Sequence, residues 1–145
     1  MRLPLALTFV GSLMLPVRLL GQVPDSAGPA VSAADAAAHA WLRLVDGHHY
    51  DESWDSAAAV FRSAVTKPAW RGAVREGRAP FEPLGERSFL GATYSTQLPN
   101  VPPGEYVVLQ YRTKAGNGKT VVETVTPAKS ADGRWRVAGY YVRPE

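Results

Sequence analysis

Residues Glu105 to Val142 read EYVVLQYRTKAGNGKTVVETVTPAKSADGRWRVAGYYV, and this stretch decides the fold. Three runs alternate apolar and polar residues with a period of two: Glu105–Thr113, Thr120–Thr126 and Arg134–Arg143. Asn117-Gly118 and Asp132-Gly133 separate them. Both central residues of a type I′ turn need positive φ, so Asn-Gly and Asp-Gly between such runs predict tight antiparallel hairpins. A fourth strand, Arg87–Leu98, precedes them across the connection PNVPPG. The chain therefore closes in a four-stranded antiparallel meander.

Two-residue loops at both turns fix a register. Tyr111 then faces Thr124, Leu109 faces Thr126 and Arg112 faces Glu123; beyond the second turn Tyr141 pairs with Thr124 and Gly139 with Thr126. One sheet face carries Val107, Leu109, Tyr111, Val122, Thr124, Thr126, Trp135, Val137 and Tyr141, and is the natural seat for helices. The other carries Gln110, Arg112, Glu123, Val125, Arg136, Tyr140 and Val142. Pro127 has no ladder donor, so a bulge or strand break is expected there.

Upstream the period is helical. Ser32 caps a helix whose Ala34, Ala38, Trp41 and Val45 share a face, and Asp46-Gly47 ends it. A second helix starts near Asp51 and aligns Tyr50, Trp54, Ala57, Phe61 and Val65. A third runs from Lys67 to Glu76, with Pro68 in its first turn and Trp70 and Val74 as its apolar pair. Three helices followed by a meander make an α+β domain over residues 32–145, with the helices laid across one sheet face.

The first 21 residues, MRLPLALTFVGSLMLPVRLLG, have the basic start and apolar middle of a secretory signal peptide, with cleavage expected between residues 21 and 30. Arg18 interrupts the apolar run, so no membrane span is expected after cleavage. Gln22–Val31 (QVPDSAGPAV) reads as a flexible lead-in. The implied location is the periplasm or the cell exterior. The 145 residues carry 16 Lys+Arg against 13 Asp+Glu, a balance of +3. Residues 1–21 hold Arg2 and Arg18 and no acid, so the balance beyond them is only +1. No electrostatic footprint for nucleic acid survives that subtraction. The remaining charge is divided: Asp35–Asp55 holds five acids and one Arg, whereas Arg112–Arg143 holds seven bases and two acids. The absence of cysteine excludes disulfides, thiolate metal sites and a cysteine nucleophile.

Three blocks, AWLRLVDGHHYDESWDSAAAVFRSAV (Ala40 to Val65), LGERSFLGATYSTQLPNVPPGEYVVLQYRTK (Leu84 to Lys114) and ETVTPAKSADGRWRVAGYYV (Glu123 to Val142), together with Trp70, resemble a bacterial domain of unknown function, the 4019 family. The resemblance covers nearly all of the chain beyond the leader. It implies a short secreted or periplasmic protein and assigns no activity. The order of helices then meander is also similar to the NTF2-like and cystatin-like cone, a scaffold that hosts enzymes and binding modules alike.

The aromatic residues read first as core, because each large ring buries roughly 150–250 Å². The competing reading is a ligand cleft between sheet and helices formed by Trp54, Tyr111, Thr124, Thr126, Trp135 and Tyr141. Arg112, Glu123, Arg136 and Tyr140 form a candidate partner surface on the outer face, for a homodimer or an envelope protein. His48-His49 and His39 lack the spacing of a metal site, no catalytic dyad or nucleophile motif is present, and no cofactor is implied. The leading expectation is a non-enzymatic binding module for a small molecule or envelope partner. A cofactor-free isomerase, dehydratase or hydrolase in the cone, and a structural envelope protein, are the alternatives.

Overall fold

The computed structural model describes residues 27–145. The leader and the lead-in before Ala27 lie outside the described residues. Four helices, α1 (Gly28–Asp46), α2 (Tyr50–Asp55), α3 (Ala59–Ala64) and α4 (Lys67–Arg78), precede four strands. These are β1 (Arg87–Ser95), β2 (Tyr106–Lys114), β3 (Thr120–Lys129) and β4 (Trp135–Pro144), antiparallel in the order β1-β2-β3-β4. The α+β class and the meander are as expected from the sequence; among the described residues the helices number four, not three.

α1 begins at Gly28, four residues before Ser32, because Pro29 fits a first helical turn that has no amide to bond. The lead-in is thus helical from Gly28. Ala34, Ala38, Trp41, Leu42 and Val45 form the buried stripe with which α1 crosses all four strands. The helix expected from Asp51 to Val65 divides in two at Ser56–Ala58. Ala58 is extended (φ −62°, ψ 151°) and its amide donates to Val137 O of β4 at 2.8 Å. A hydrogen bond to the sheet edge replaces one within a helix. The Ser56 hydroxyl, bonded back to Glu52 O at 2.9 Å, closes α2.

Ser53 is the joint among the helices. Its carbonyl accepts from Trp41 Nε1 (2.8 Å), its hydroxyl accepts from Trp70 Nε1 (3.0 Å), and the same hydroxyl donates to Tyr50 O (2.7 Å). α1, α2 and α4 meet there, and Phe61 packs edge-on against Trp70 with ring centroids 5.0 Å apart. Trp41, Trp70, Phe61, Tyr50, Val107, Leu109, Tyr111, Val125 and Val137 belong to one core. Trp54 sits at its margin, half-buried, with Nε1 bonded to Val65 O at 2.8 Å.

The sheet register differs from the expected one by a single residue at the β2–β3 turn. Ala115 and Lys119 bond across Gly116-Asn117-Gly118, with Gly118 at φ +80°. This is a three-residue loop closed by a glycine in the left-handed region, not a two-residue one. Tyr111 therefore pairs with Glu123, Leu109 with Val125, Arg112 with Val122 and Gln110 with Thr124. A slip of one residue moves every side chain of the strand to the other face. Val121, Glu123 and Val125 turn toward the helices, while Val122, Thr124 and Thr126 turn away.

The β3–β4 turn repeats the one-residue difference, and the strand then cancels it. Ser130 and Arg134 bond across Ala131-Asp132-Gly133, again with a left-handed glycine (φ +81°). The register then shifts between Thr126 and Pro127, where a bulge was expected. Beyond the bulge Thr124 pairs with Tyr141 and Thr126 with Gly139, as the two-residue reading required. Trp135 and Val137 remain on the helix side, but past the bulge Tyr140 faces inward and Tyr141, 61% exposed, faces out.

Ser53→Ala leaves the buried Trp70 Nε1–H without its acceptor. It is expected to cost about 1–3 kcal/mol, read as a lower urea midpoint at unchanged slope.

Candidate functional site

The register places a carboxylate where apolar residues were expected. Glu123 is fully buried (0% exposed) on the helix-facing side of β3. Arg87, the first residue of β1, faces the same layer: its Nε donates to Glu123 Oε1 at 2.7 Å. The other end of the guanidinium reaches Asp46, the last residue of α1, with Nη1 to Oδ2 at 2.6 Å and Nη2 to Oδ1 at 2.8 Å. Thr113 Oγ1 (2.7 Å) and the Tyr140 hydroxyl (2.5 Å) complete the shell of Glu123. Asp46 also accepts from Arg78 Nη2 at 2.6 Å. Arg78, on the last turn of α4, is only 2% exposed.

Burial alone raises the Asp46 pKa, but hydrogen bonds from Arg87 and Arg78 outweigh it and hold the carboxyl below its ordinary value. Burial also opposes the charge on Arg87, yet its bonds to Asp46 and Glu123 raise its pKa above the usual arginine range. Tyr140 is raised by burial and by the Glu123 charge. Tyr111 is raised by burial and by its 2.5 Å hydrogen bond to Asp35 Oδ1. All these groups keep one protonation state across the neutral range.

A cleft of about 320 Å³ opens beside this cluster, lined by Asp46, His48, Arg78, Glu82, Pro83 and Leu84. His48 has φ 62°, a left-handed backbone uncommon outside glycine, and its Nε2 lies 3.0 Å from Glu82 Oε2. The Phe81–Pro83 segment is clamped to the β2–β3 hairpin. Gly116 N donates to Phe81 O at 2.9 Å, and a Cβ on Gly116 would stand 2.5 Å from Glu82 O. A larger cleft of about 540 Å³ lies on the other side of His48 and Glu82, between His49, Asp51, Arg71 and Arg75. Arg71 closes a bidentate pair with Asp51 at 2.9 and 2.8 Å. Among the described residues no three His, Asp or Glu side chains gather closely enough to hold a metal ion.

A third cleft, of about 450 Å³, lies between α1 and β4. Ala37, Ala40, Trp41 and Leu44 line it from the helix, Trp135 and Val137 from the strand, and Arg134 and Arg136 flank it. Arg136 is engaged by Asp132 through two bonds of 2.9 Å. Arg134 has no carboxylate within ion-pair distance among the described residues.

The two sets of residues singled out from the sequence are partly exchanged in space: Thr124, Thr126 and Tyr141 turn out and Glu123 and Tyr140 turn in, while Tyr111, Trp135 and Arg112 keep the faces expected of them. Of the expected cleft, Tyr111 is interior beneath α1, Trp54 lies against Lys67, and Thr124, Thr126 and Tyr141 stand on the face away from α1. Of the expected outer surface, Glu123 and Tyr140 are interior and bonded to each other; Arg112 is on the outer face, paired with Glu145. Trp135 and Arg136, one from each set, come together in the α1–β4 cleft. Asp46, Arg78, Glu82 and Arg87 were not singled out. No local signal marked them, because Asn117-Gly118 suits a two-residue or a three-residue loop, and only the latter turns Glu123 inward toward a buried cation.

The charge division along the chain does not survive folding. Asp46 is taken by Arg78 and Arg87, Asp51 by Arg71 and Asp55 by Lys67, all from segments between the acidic and basic stretches. On the basic side Lys114 meets Glu86, Lys129 meets Glu105 and Arg112 meets Glu145.

Residues 37–140 match the family profile described as "Protein of unknown function (DUF4019)". No curated protein matches the chain. Among solved structures, a protein from Catenulispora acidiphila is similar at TM-score 0.53 and 14% identity, over 82% of this chain and 94% of its own. Aln2 from a Streptomyces species is similar at TM-score 0.50 and 12% identity, over 85% and 94%. At such identities the likeness concerns the fold alone.

Glu123→Leu leaves half of the buried Arg87 guanidinium unpaired and is expected to destabilise the fold by about 3–5 kcal/mol, measured by denaturant melts. A second test uses alkaline pH. Phenols with raised pKa hold more protons folded than unfolded once pH passes the unfolded value of about 10. Each of Tyr111 and Tyr140 should then lower stability by ~1.4 kcal/mol per pH unit above that value, and have no such effect below it. Tyrosinate absorbance should show both ionising only with unfolding.

Proposed function

Because the chain belongs to the DUF4019 family of proteins of unknown function, its chemistry must come from its own residues, and we propose that it is a non-enzymatic binding module acting outside the cytoplasm. One observation carries this reading: the α1–β4 cleft sets Ala37, Ala40 and Leu44 opposite the Trp135 indole, beside Arg134, which among the described residues has no carboxylate within ion-pair distance. Its 450 Å³ falls within the range of small-molecule sites, roughly 300–1,000 Å³. Among the described residues that line it there is no carboxylate and no imidazole. It offers apolar contact and cationic anchoring, without a group that exchanges protons near neutrality. The ligand it suits is amphipathic, with a flat apolar body against Trp135 and an acidic group toward Arg134. The secretory pattern of Met1–Gly21 supports the compartment, and the helix-over-meander order supports the NTF2-like or cystatin-like cone as the scaffold.

A specific observation favours the enzymatic alternative. His48 and Glu82 form a 3.0 Å pair in an open cleft, the arrangement of a base and its orienting acid. A structural envelope role, or a partner on the outer face around Arg112 and Tyr141, has weaker support, since Arg112 is already engaged by Glu145.

Anilinonaphthalene sulfonate, an aromatic anion, is a suitable probe of the folded protein. Saturable fluorescence enhancement is expected, weakened about ten-fold (~1.4 kcal/mol) by Trp135→Ala and abolished by Ala40→Glu, which sets a carboxylate against the sulfonate from an exposed helix position. Binding that Ala40→Glu leaves unchanged, or none that saturates, overturns the reading.

A further inference from the structure

We propose that the free edge of β1 is the surface through which two copies of this chain join, their sheets continuing across a two-fold axis at Thr93. A meander has two edges, and this one guards them unequally. At β4 the Ala58 amide bonds to Val137 O at 2.8 Å, α3 lies against the strand, and Arg134, Arg136 and Arg143 put charge on or beside it. Covering elements and charged side chains are the common protection of a sheet edge. At β1 no element pairs with the outer edge among the described residues.

Nor does charge protect β1. Ser88–Gly104 runs 17 residues without an acid or a base, the longest such run among the described residues of a chain in which 20% are charged. Of the three large apolar side chains left exposed among the described residues, two are on this strand: Phe89 (56%) and Leu90 (42%). A bulge places Leu90 outside the ladder, and bulges blunt an edge, but this one spares Gly91–Ser95, which keep unbroken register with β2.

Neutrality selects the occupant. A foreign strand is chosen by charge complementary to its own, and this edge has none to offer. A two-fold contact instead sets each residue near the axis beside its own copy, where any charge meets a like charge, so an uncharged run is the composition such a contact needs. Position selects the register. Thr93 is the midpoint of Gly91–Ser95, so an axis there uses all five residues of each copy. Antiparallel pairing then sets Ala92 opposite the partner's Tyr94 on the helix side and Gly91 opposite the partner's Ser95 on the outer side, the smaller against the larger. Thr93 meets its own copy, a pairing that favours strands through the hydroxyls. Leu90 and Phe89, at the two ends of the joint, come against the turn that follows the partner's Ser95 and leave water there. The area falls below the roughly 800 Å² per partner of a standard interface, so the dimer is a weak one, with Kd of about 10–100 μM.

Sedimentation velocity of the full chain should show a monomer–dimer equilibrium in that range. Thr93→Lys, at an exposed position, sets two ammonium groups face to face and should weaken it at least about ten-fold without altering the circular dichroism of the monomer. Tyr141→Lys, on the outer sheet face, should leave it within about two-fold. Because the chain has no cysteine, a single introduced thiol reports the axis. Opposed Cα atoms in antiparallel strands stand about 4.5–5.5 Å apart, inside the span of a disulfide, so Thr93→Cys should give a covalent dimer on mild oxidation. Ser88→Cys, roughly 30 Å from its own copy, should give none. A monomer at about 500 μM, dimers that Tyr141→Lys disrupts and Thr93→Lys spares, equal cross-linking at positions 88 and 93, or association lost when residues 1–21 are removed overturns the proposal.

Discussion

Arg87 is the residue on which the arrangement of the molecule depends. Its guanidinium divides itself between the end of α1, through Asp46, and the middle of β3, through Glu123. Burying Glu123 fully, Arg87 largely and Asp46 in part is expensive, and the cost is recovered only when both carboxylates hold their positions. That condition fixes where α1 ends over the sheet and hence how it crosses the four strands. It also draws in Arg78, which shares Asp46, and so docks the last turn of α4. Tyr140 and Thr113 bring β4 and β2 to the same point through Glu123.

From that seating come two clefts with different lining residues, one beside β4 and one where α1 ends. On the β4 side, Ala37, Ala40 and Leu44 stand opposite Trp135, with Arg134 and Arg136 beside them. On the side where α1 ends, the polypeptide turns through a left-handed His48 and the surroundings are ionic. The acidic helices find their counter-ions on α4 and β1, which the linear charge count does not reveal. What looked along the chain like a dipole is, in space, a set of local pairs. Exposed pairs of this kind contribute little each, so they neutralise the surface more than they hold it together.

Much of this was legible in the residues. Period-two runs separated by glycine turns specify strands and their order, and the helical spacing of Ala34, Ala38, Trp41 and Val45 specifies a helix and its buried face, because both patterns are local consequences of backbone geometry. The large aromatics Trp41, Trp70, Phe61 and Tyr50 belong to the core for the general reason that their area leaves water. The break at Ser56–Ala58 was not legible, since the partner of the Ala58 amide is Val137 O, far along the chain.

Register was the other unreadable quantity, and it governed the site. Asn-Gly and Asp-Gly serve two-residue and three-residue loops equally well, and the choice between them is made by which side chains the sheet can bury. Here the three-residue loop at Gly116–Gly118 turns Glu123 inward, where Arg87 waits, and turns Thr124 out; the loop and the bulge around Pro127 then do the same for Tyr140 and Tyr141. Sequence by itself determined the four strands, the helical character of the segment before them, the antiparallel meander and the aromatic core, because each follows from interactions among near neighbours or from transfer out of water. Only the tertiary structure decided which face each strand turns to the helices and which charges meet. Those depend on pairings between residues 36 to 41 positions apart, whose cost and gain exist only once the water between them is gone.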